Sequence, residues 1–178
     1  HPVASRKLRN AKPSSIFGGI IPLHGPGERT FGDGFMIVGD AAAQTKSTSG
    51  GGIYFGMKAG RIAGQVAVEA LERNDTSSKS LARFQRLCAE SFGGELRFTS
   101  KIRRLLDRLG DNDLNTLLGI LRSDDDAKST IELHGDTSYQ SKVWNPLLLK
   151  LAKASFTRPR GLGVLAKTMV LGLLDLTK

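Results

Sequence analysis

Gly52, Gly56, Gly60 and Gly64 recur at every fourth position of a segment, residues 50–72, that holds no proline and is rich in Ala, Met, Val, Leu, Glu and Lys. That composition predicts a helix, and the four-residue step lays the glycines nearly along one face of it. Each glycine costs roughly 1 kcal/mol against alanine in a helix interior. Four on one face make sense if that face needs close backbone approach, to a sheet, another helix or a flat ligand. Membrane dimer helices share the pattern, but Lys58 and Arg61 in mid-segment argue against a lipid setting. No stretch of the chain reaches 18 uninterrupted apolar residues, so no spanning helix is expected.

The run that enters this helix carries the chemistry. Phe35 to Val38 is continuously apolar and bounded by Gly34 and Gly39, which suits a buried strand. It stops at Gly39-Asp40. A strand that ends this way presents a carboxylate at the carboxyl edge of a sheet, where open α/β folds bind ligands. An ionised Asp there accepts hydrogen bonds from sugar-type hydroxyls. Ala41 to Ala43 add no bulk, so a ligand can lie close to the backbone. Gly50 to Gly52 then open the helix, whose first N–H groups lack intrahelical partners and favour negative charge by typically about 0.3–1 kcal/mol. These pieces specify a hydroxylated ligand with an electron-rich end. A turn Asp ahead of a helix accounts for the same residues without any ligand.

Around this unit the chain reads simply. Residues 1–34 are rich in Gly and Pro, and Ile16 to Leu23, broken by Gly18-Gly19 and Pro22, is expected as a short strand with a bulge or turn. The polar stretch Asn74 to Ser80 caps the next helix. Leu81 to Leu109 is helical with a break at Gly93-Gly94, and Asp111 to Leu121 is a short helix capped by Asp111 or Asn112. Residues 122–142 read as a polar loop. From Val143 the pattern is apolar and basic, giving two amphipathic helices split near Pro159 to Gly163. Their leucines either dock on the protein's own core or lie on a membrane surface with the basic residues at the headgroups.

Charge and cysteine content narrow the function. The net charge of +9 invites nucleic acid, an anionic membrane or an anionic small molecule. The densest basic cluster, Lys101 to Arg108, has no interleaved aromatics for base stacking, which disfavours nucleic acid. Cys88 is the one cysteine, so there is no disulfide framework or cysteine-cluster metal site, and a reducing, cytoplasmic setting is expected. Cys88 lies in an apolar helical pattern and reads as a buried structural thiol. His1, His24 and His134 are far apart with no ligand spacing. Asp111-x-Asp113-x-Asn115 starts like a calcium loop, but Thr116 and Arg122 stand where glycine and glutamate are needed. No G-x-S-x-G elbow occurs.

The run "GFMIVGDAAAQTKSTSGGGIYFGMKAGRIAGQVAVEAL", residues 34–71, resembles the second flavin-binding motif of the geranylgeranyl reductase family, within the p-hydroxybenzoate-hydroxylase-like flavoproteins. In that family a strand ends in Gly-Asp-Ala-Ala, and a Pro-Thr-Gly-Gly-Gly-Ile-like stretch leads into a helix. The matching residues are Gly39, Asp40, Ala41 and Ala42, then Thr48, Ser49, Gly50, Gly51, Gly52 and Ile53, with Ser47 in place of the proline. "GGIIPLHGP" upstream resembles the family's short strand before the motif, and "RFQRLCAESFGGELRF" its helical C-terminal region. The resemblance is close over residues 16–72 and looser over 81–121.

The resemblance implies an FAD site to which Gly39, Asp40 and Ala41 contribute, Asp40 binding the ribityl hydroxyls, while Gly50, Gly51, Gly52 and Ile53 face the pyrimidine end of the isoalloxazine. Gly56 and Gly60 keep the helix tight against its neighbours. The family's G-x-G-x-x-G is absent. The formal hit Gly161-x-Gly163-x-x-Ala166 follows "FTRPR" rather than a strand and is discounted. The implied fold is α+β: a short strand–loop–helix FAD-contacting unit, then a mostly α-helical C-terminal region, as a fragment of a larger α/β flavoprotein. Residues 1–72 complete the FAD-binding domain, with the motif at 36–56, and residues 73–178 form a helical C-terminal domain. The His-Pro-Val start fits a processed or partial chain. The resemblance further implies hydride transfer to C=C bonds of an isoprenoid lipid and contact of the basic C-terminal helices with the inner face of the membrane. It assigns no catalytic residue and no electron donor. The same motif serves monooxygenases, halogenases and electron-transfer-flavoprotein dehydrogenases, and a non-catalytic basic helical module that binds membrane or a partner is the reading of a different class.

Overall fold

The computed structural model describes residues 1–12, 14–134, 138–157, 163, 164 and 167. It is mostly helical with one small sheet, a mixed α+β chain. Pro2–Lys7 forms a short exposed helix, α1, that buries nothing. Two two-residue strands follow, β1 at Phe31–Gly32 and β2 at Phe35–Met36, paired antiparallel with Phe31 opposite Met36. Then come a 3₁₀ turn at Gly39–Ala42 and the helices α2, Ile53–Glu72; α3, Ser78–Cys88; α4, Gly94–Leu106; α5, Asp111–Arg122; α6, Asp125–His134; and α7, Ser141–Thr157.

The helix expected over 50–72 forms with Gly52 as its N-cap. Its buried residues are Phe55, Ala59, Val66 and Ala70, spaced as one helical face. They meet Leu81, Phe84 and Cys88 of α3 with Phe92 and Leu96 in a single core. Ser77 caps α3, its hydroxyl accepting from the Ser80 N–H at 3.4 Å. The expected break at Gly93-Gly94 is instead a π turn, Ala89–Gly93, that carries α3 into α4 without interruption. Cys88 is 6% exposed and burial pushes its thiol up to about 11, so it stays protonated and structural, as the pattern implied.

Several expectations are corrected. Ile16 to Leu23 forms no strand; with no neighbouring strand to pair with, Ile16, Phe17 and Ile20 remain exposed. The strand expected over Phe35–Val38 is two residues long, and Phe35 and Val38 are exposed rather than buried. Among the described residues its one partner is β1, extended by the Ile37 N–H donating to the Thr30 carbonyl at 2.8 Å. Gly110, not Asp111 or Asn112, precedes α5, and its N–H donates to Asp113 at 3.2 Å. The polar stretch 122–142 holds α6, because the acidic triple marks a helix start. Asp124 accepts from the Ala127 N–H at 2.9 Å, and Asp125 and Asp126 complement the helix dipole.

The docked reading holds for α7. Leu147 and Leu151 are buried, and Lys150 pairs with Asp124 and Asp126 of the preceding segment, each at 3.2 Å. The second amphipathic helix and the Gly161-x-Gly163-x-x-Ala166 hit fall largely outside the described residues. Among the described residues no helix is long and apolar enough to cross a membrane.

Candidate functional site

One turn and one loop build the site, each shaped by a glycine that must be glycine. Gly39 enters the 3₁₀ turn at φ +70°, in the left-handed region. Gln44 closes that turn from outside: its side-chain oxygen accepts from the Gly39 N–H at 2.7 Å, and its own N–H donates to the Gly39 carbonyl at 3.1 Å. Asp40 and Ala41 are left exposed on the turn, while Ala42, Ala43, Gln44 and Thr45 are buried beneath it. The following loop also closes on itself. The Lys46 N–H donates to the Gly51 carbonyl at 3.1 Å, and the Gly50 N–H to the Lys46 carbonyl at 2.8 Å, with Gly50 at φ +71°.

Turn and helix meet at Gly52. A Cβ on Gly52 would lie 2.7 Å from Asp40 Oδ1 and 2.8 Å from Thr45 Cγ2. The φ of −120° suits any residue, so space rather than backbone angle demands glycine. The absent side chain forms a notch against which the Asp40 carboxylate lies. That carboxylate is exposed and has no hydrogen-bond or ion-pair partner among the described residues. No side chain caps α2, and the Gly56 N–H is the first to reach back to Gly52, at 2.8 Å. Ile53, the first residue of the helix, is 84% exposed. An acceptor without donors and a helix start without acceptors thus share one exposed edge, where the helix dipole favours negative charge.

Gly52→Ala is expected to push Asp40 and Thr45 aside and to destabilise the chain by about 1–3 kcal/mol, although alanine is the better helix former. Urea unfolding checks this; a midpoint at or above that of the parent would show that the notch has slack.

Of the helix-face glycines, Gly56 behaves as expected: a Cβ there would lie 3.3 Å from the Gly39 Cα, so α2 packs directly on the turn. Gly60 does not. A Cβ at Gly60 or Gly64 would meet nothing within 4 Å. The packed face of α2 runs through Phe55 and Ala59, one residue and therefore about 100° round the helix from the glycines.

All seven expected site residues lie in these two segments, and the structure brings Asp40 and Gly52 into contact across twelve residues of chain. The residues that hold them were not foreseen. The Thr45 hydroxyl donates to the Pro22 carbonyl and fastens the upstream segment beneath the turn. The Ser47 N–H donates to Thr99 Oγ1 at 3.3 Å, while the buried Ser47 hydroxyl has no partner among the described residues, so serine gains little at a position where the family pattern has proline. A local signal existed for Gln44, a long amide five residues after a turn glycine, but none for Pro22 or Thr99.

Comparison with known proteins agrees with the resemblance. Digeranylgeranylglycerophospholipid reductase 2 of Methanopyrus kandleri is 38% identical over 125 residues, 70% of this chain and 32% of that protein. The reductase 2 of Methanothermobacter thermautotrophicus is 39% identical over 117 residues, 66% of this chain and 30% of its own length. The reductase 1 of the same organism is 37% identical over 146 residues, 82% of this chain and 36% of its own length. No family model matches the chain, and no solved structure matches it significantly. About two thirds or more of the chain is thus similar to proteins named digeranylgeranylglycerophospholipid reductases, and the chain spans about a third of the length of these curated relatives.

Proposed function

We propose that this chain is the C-terminal part of an FAD-dependent reductase that saturates C=C bonds of geranylgeranyl chains on isoprenoid lipids or their precursors. The similarity to proteins named digeranylgeranylglycerophospholipid reductases supports the reaction and the substrate class. The observation that carries the cofactor is the notch at Gly52: an unpartnered carboxylate beside the uncapped start of a 20-residue helix. These residues fit FAD. Asp40 would accept from the ribityl hydroxyls, Gly39 and Ala41 would leave the backbone open to the chain, and the backbone from Gly50 to Ile53 would face the pyrimidine end. The flavin, once reduced, would supply the hydride. The chain's own part is to hold the polyol, to donate N–H groups, and to set the positive end of α2 where reduced flavin carries negative charge.

The exposed side of α2 supports a larger whole. Ile53, Met57, Val68 and Leu71 are exposed there together with the open glycines, and Ile16, Phe17 and Ile20 add further bare apolar surface. Bare apolar side chains along one side of a helix mark a contact face, which we assign to the remainder of the FAD-binding domain. We assign residues 1–72 to the C-terminal part of that domain and residues 73–178 to a helical C-terminal domain. We assign peripheral contact with the inner face of the membrane to the basic C-terminal sequence from Val143, on its pattern of leucines interspersed with Lys and Arg.

A reductase-length protein containing this chain, supplied with a chemical reductant and digeranylgeranylglycerophospholipid, is expected to yield lipid heavier by two hydrogens per bond reduced, read by mass spectrometry. Unchanged lipid with flavin bound and reduced would reject the substrate assignment.

A further inference from the structure

Far from the motif in sequence, Tyr139, Gln140 and Ser141 come back to it. They form the approach to α7, and each makes a different attachment. The Thr48 hydroxyl, inside the glycine loop, donates to Gln140 Oε1. Lys58 Nζ, in the second turn of α2, donates to Tyr139 Oη at 3.0 Å. That contact and the two facing tyrosines raise the Lys58 pKa, so the ammonium stays charged. The Tyr139 ring packs edge-on against Phe55 at 5.8 Å and Tyr54 at 6.0 Å. The Ser141 N–H donates to Glu95 Oε1 of α4 at 3.0 Å, and that carboxylate is buried. Three consecutive residues thus join the motif loop, the first two turns of α2 and α4.

Such a strap has a specific mechanical consequence. Thr48 lies inside the loop that the Gly50 N–H closes on the Lys46 carbonyl and the Lys46 N–H on the Gly51 carbonyl, bonds that set where Gly51 and Gly52 stand. The loop is held from its own side by Lys46 and from outside by Gln140. Tyr139 fixes the start of α2 on the same side. A shift of either attachment moves the N–H groups at the helix start without touching Asp40.

We infer that Tyr139 and Gln140 are positioning residues for the flavin-facing loop, through which the helical C-terminal region sets the affinity and potential of the cofactor. The cofactor half of this inference rests on the flavin reading above; the mechanical half does not. A donor set held close to reduced flavin stabilises its negative charge and raises its potential, so a loosened strap lowers the potential as well as the affinity.

The test therefore has two arms, with Gln140→Ala and Tyr139→Phe. In this chain, amide exchange at Lys46 and Gly50 should quicken at least threefold in Gln140→Ala, with little change in the melting temperature. In a flavin-loaded reductase-length protein, each variant should weaken FAD by about two- to tenfold, the range of one net hydrogen bond. The flavin midpoint potential should fall as well, and Gln140→Glu, which keeps the acceptor oxygen, should restore much of both. A fall in melting temperature with exchange, affinity and potential all at parental values would overturn the inference and reduce the strap to packing. A parent protein that takes up no FAD would reject the flavin reading instead, and the exchange arm alone would then decide whether the strap holds the loop.

Discussion

Replacing Asp40 with alanine in a reductase-length protein should weaken FAD by roughly ten- to a hundredfold and leave the fold in place. A hydrogen bond to a charged acceptor is worth about 1.5–3 kcal/mol, and a polyol offers the carboxylate such bonds. The fold should survive because Asp40 is exposed and holds no other side chain among the described residues. A small stability effect is expected, since a carboxylate at a helix start contributes about 0.3–1 kcal/mol. Asp40→Asn separates the two roles. It keeps an acceptor oxygen but loses the charge, so its affinity should fall between parent and alanine variant. Equilibrium titration followed by flavin fluorescence reads all three. Parental affinity in Asp40→Ala would show that the notch faces no polyol.

Phe55→Ala should cost about 3–5 kcal/mol, the largest single effect expected here. Phe55 is fully buried, and its ring lies 5.4 Å from Phe92, 5.3 Å from Tyr54 and 5.8 Å from Tyr139. It stands three residues after Gly52, so it anchors the start of α2 from the core side while Gly56 packs on the turn. Removing the ring leaves a cavity where α2, the π turn and the strap converge. Domains are stable by only about 5–15 kcal/mol in total, so the variant loses a large share of its stability. Urea unfolding should show it as a lower midpoint with an unchanged slope. A loss under about 1 kcal/mol would mean that the site collapses around the gap.

What the sequence made legible was local. The helix over 50–72, a cap for α3 within Asn74 to Ser80 and the buried Cys88 follow from composition, spacing and side-chain chemistry within a few residues. That Gly39, Asp40 and Gly50–Gly52 would sit together in one turn and loop was legible because they are unusual choices that ordinary turns do not need together. The strands were not. A short apolar run such as Phe35–Val38 becomes a buried strand only when other strands flank it, and here it has one two-residue neighbour. The helix at Asp125–His134 was missed because three acidic residues look like solvated loop, although they are also what a helix start prefers. The glycine face was read correctly as a face, but periodicity does not say whether a face is covered. A Cβ at Gly56 would meet the turn, while one at Gly60 or Gly64 would meet nothing within 4 Å among the described residues. The strap joins residues separated by 81 and 92 positions, and no pattern within one segment reports such a pairing.

The central claim is that the notch between Asp40 and Gly52 is one grip of an FAD site whose other grip lies in a longer protein. Anaerobic purification of a reductase-length protein containing this chain, followed by its absorbance spectrum and release of the bound chromophore by denaturation, tests this most directly. The account predicts a yellow protein that releases FAD at one flavin per chain. A colourless protein that also fails to take up added FAD, while folded by circular dichroism, would contradict it.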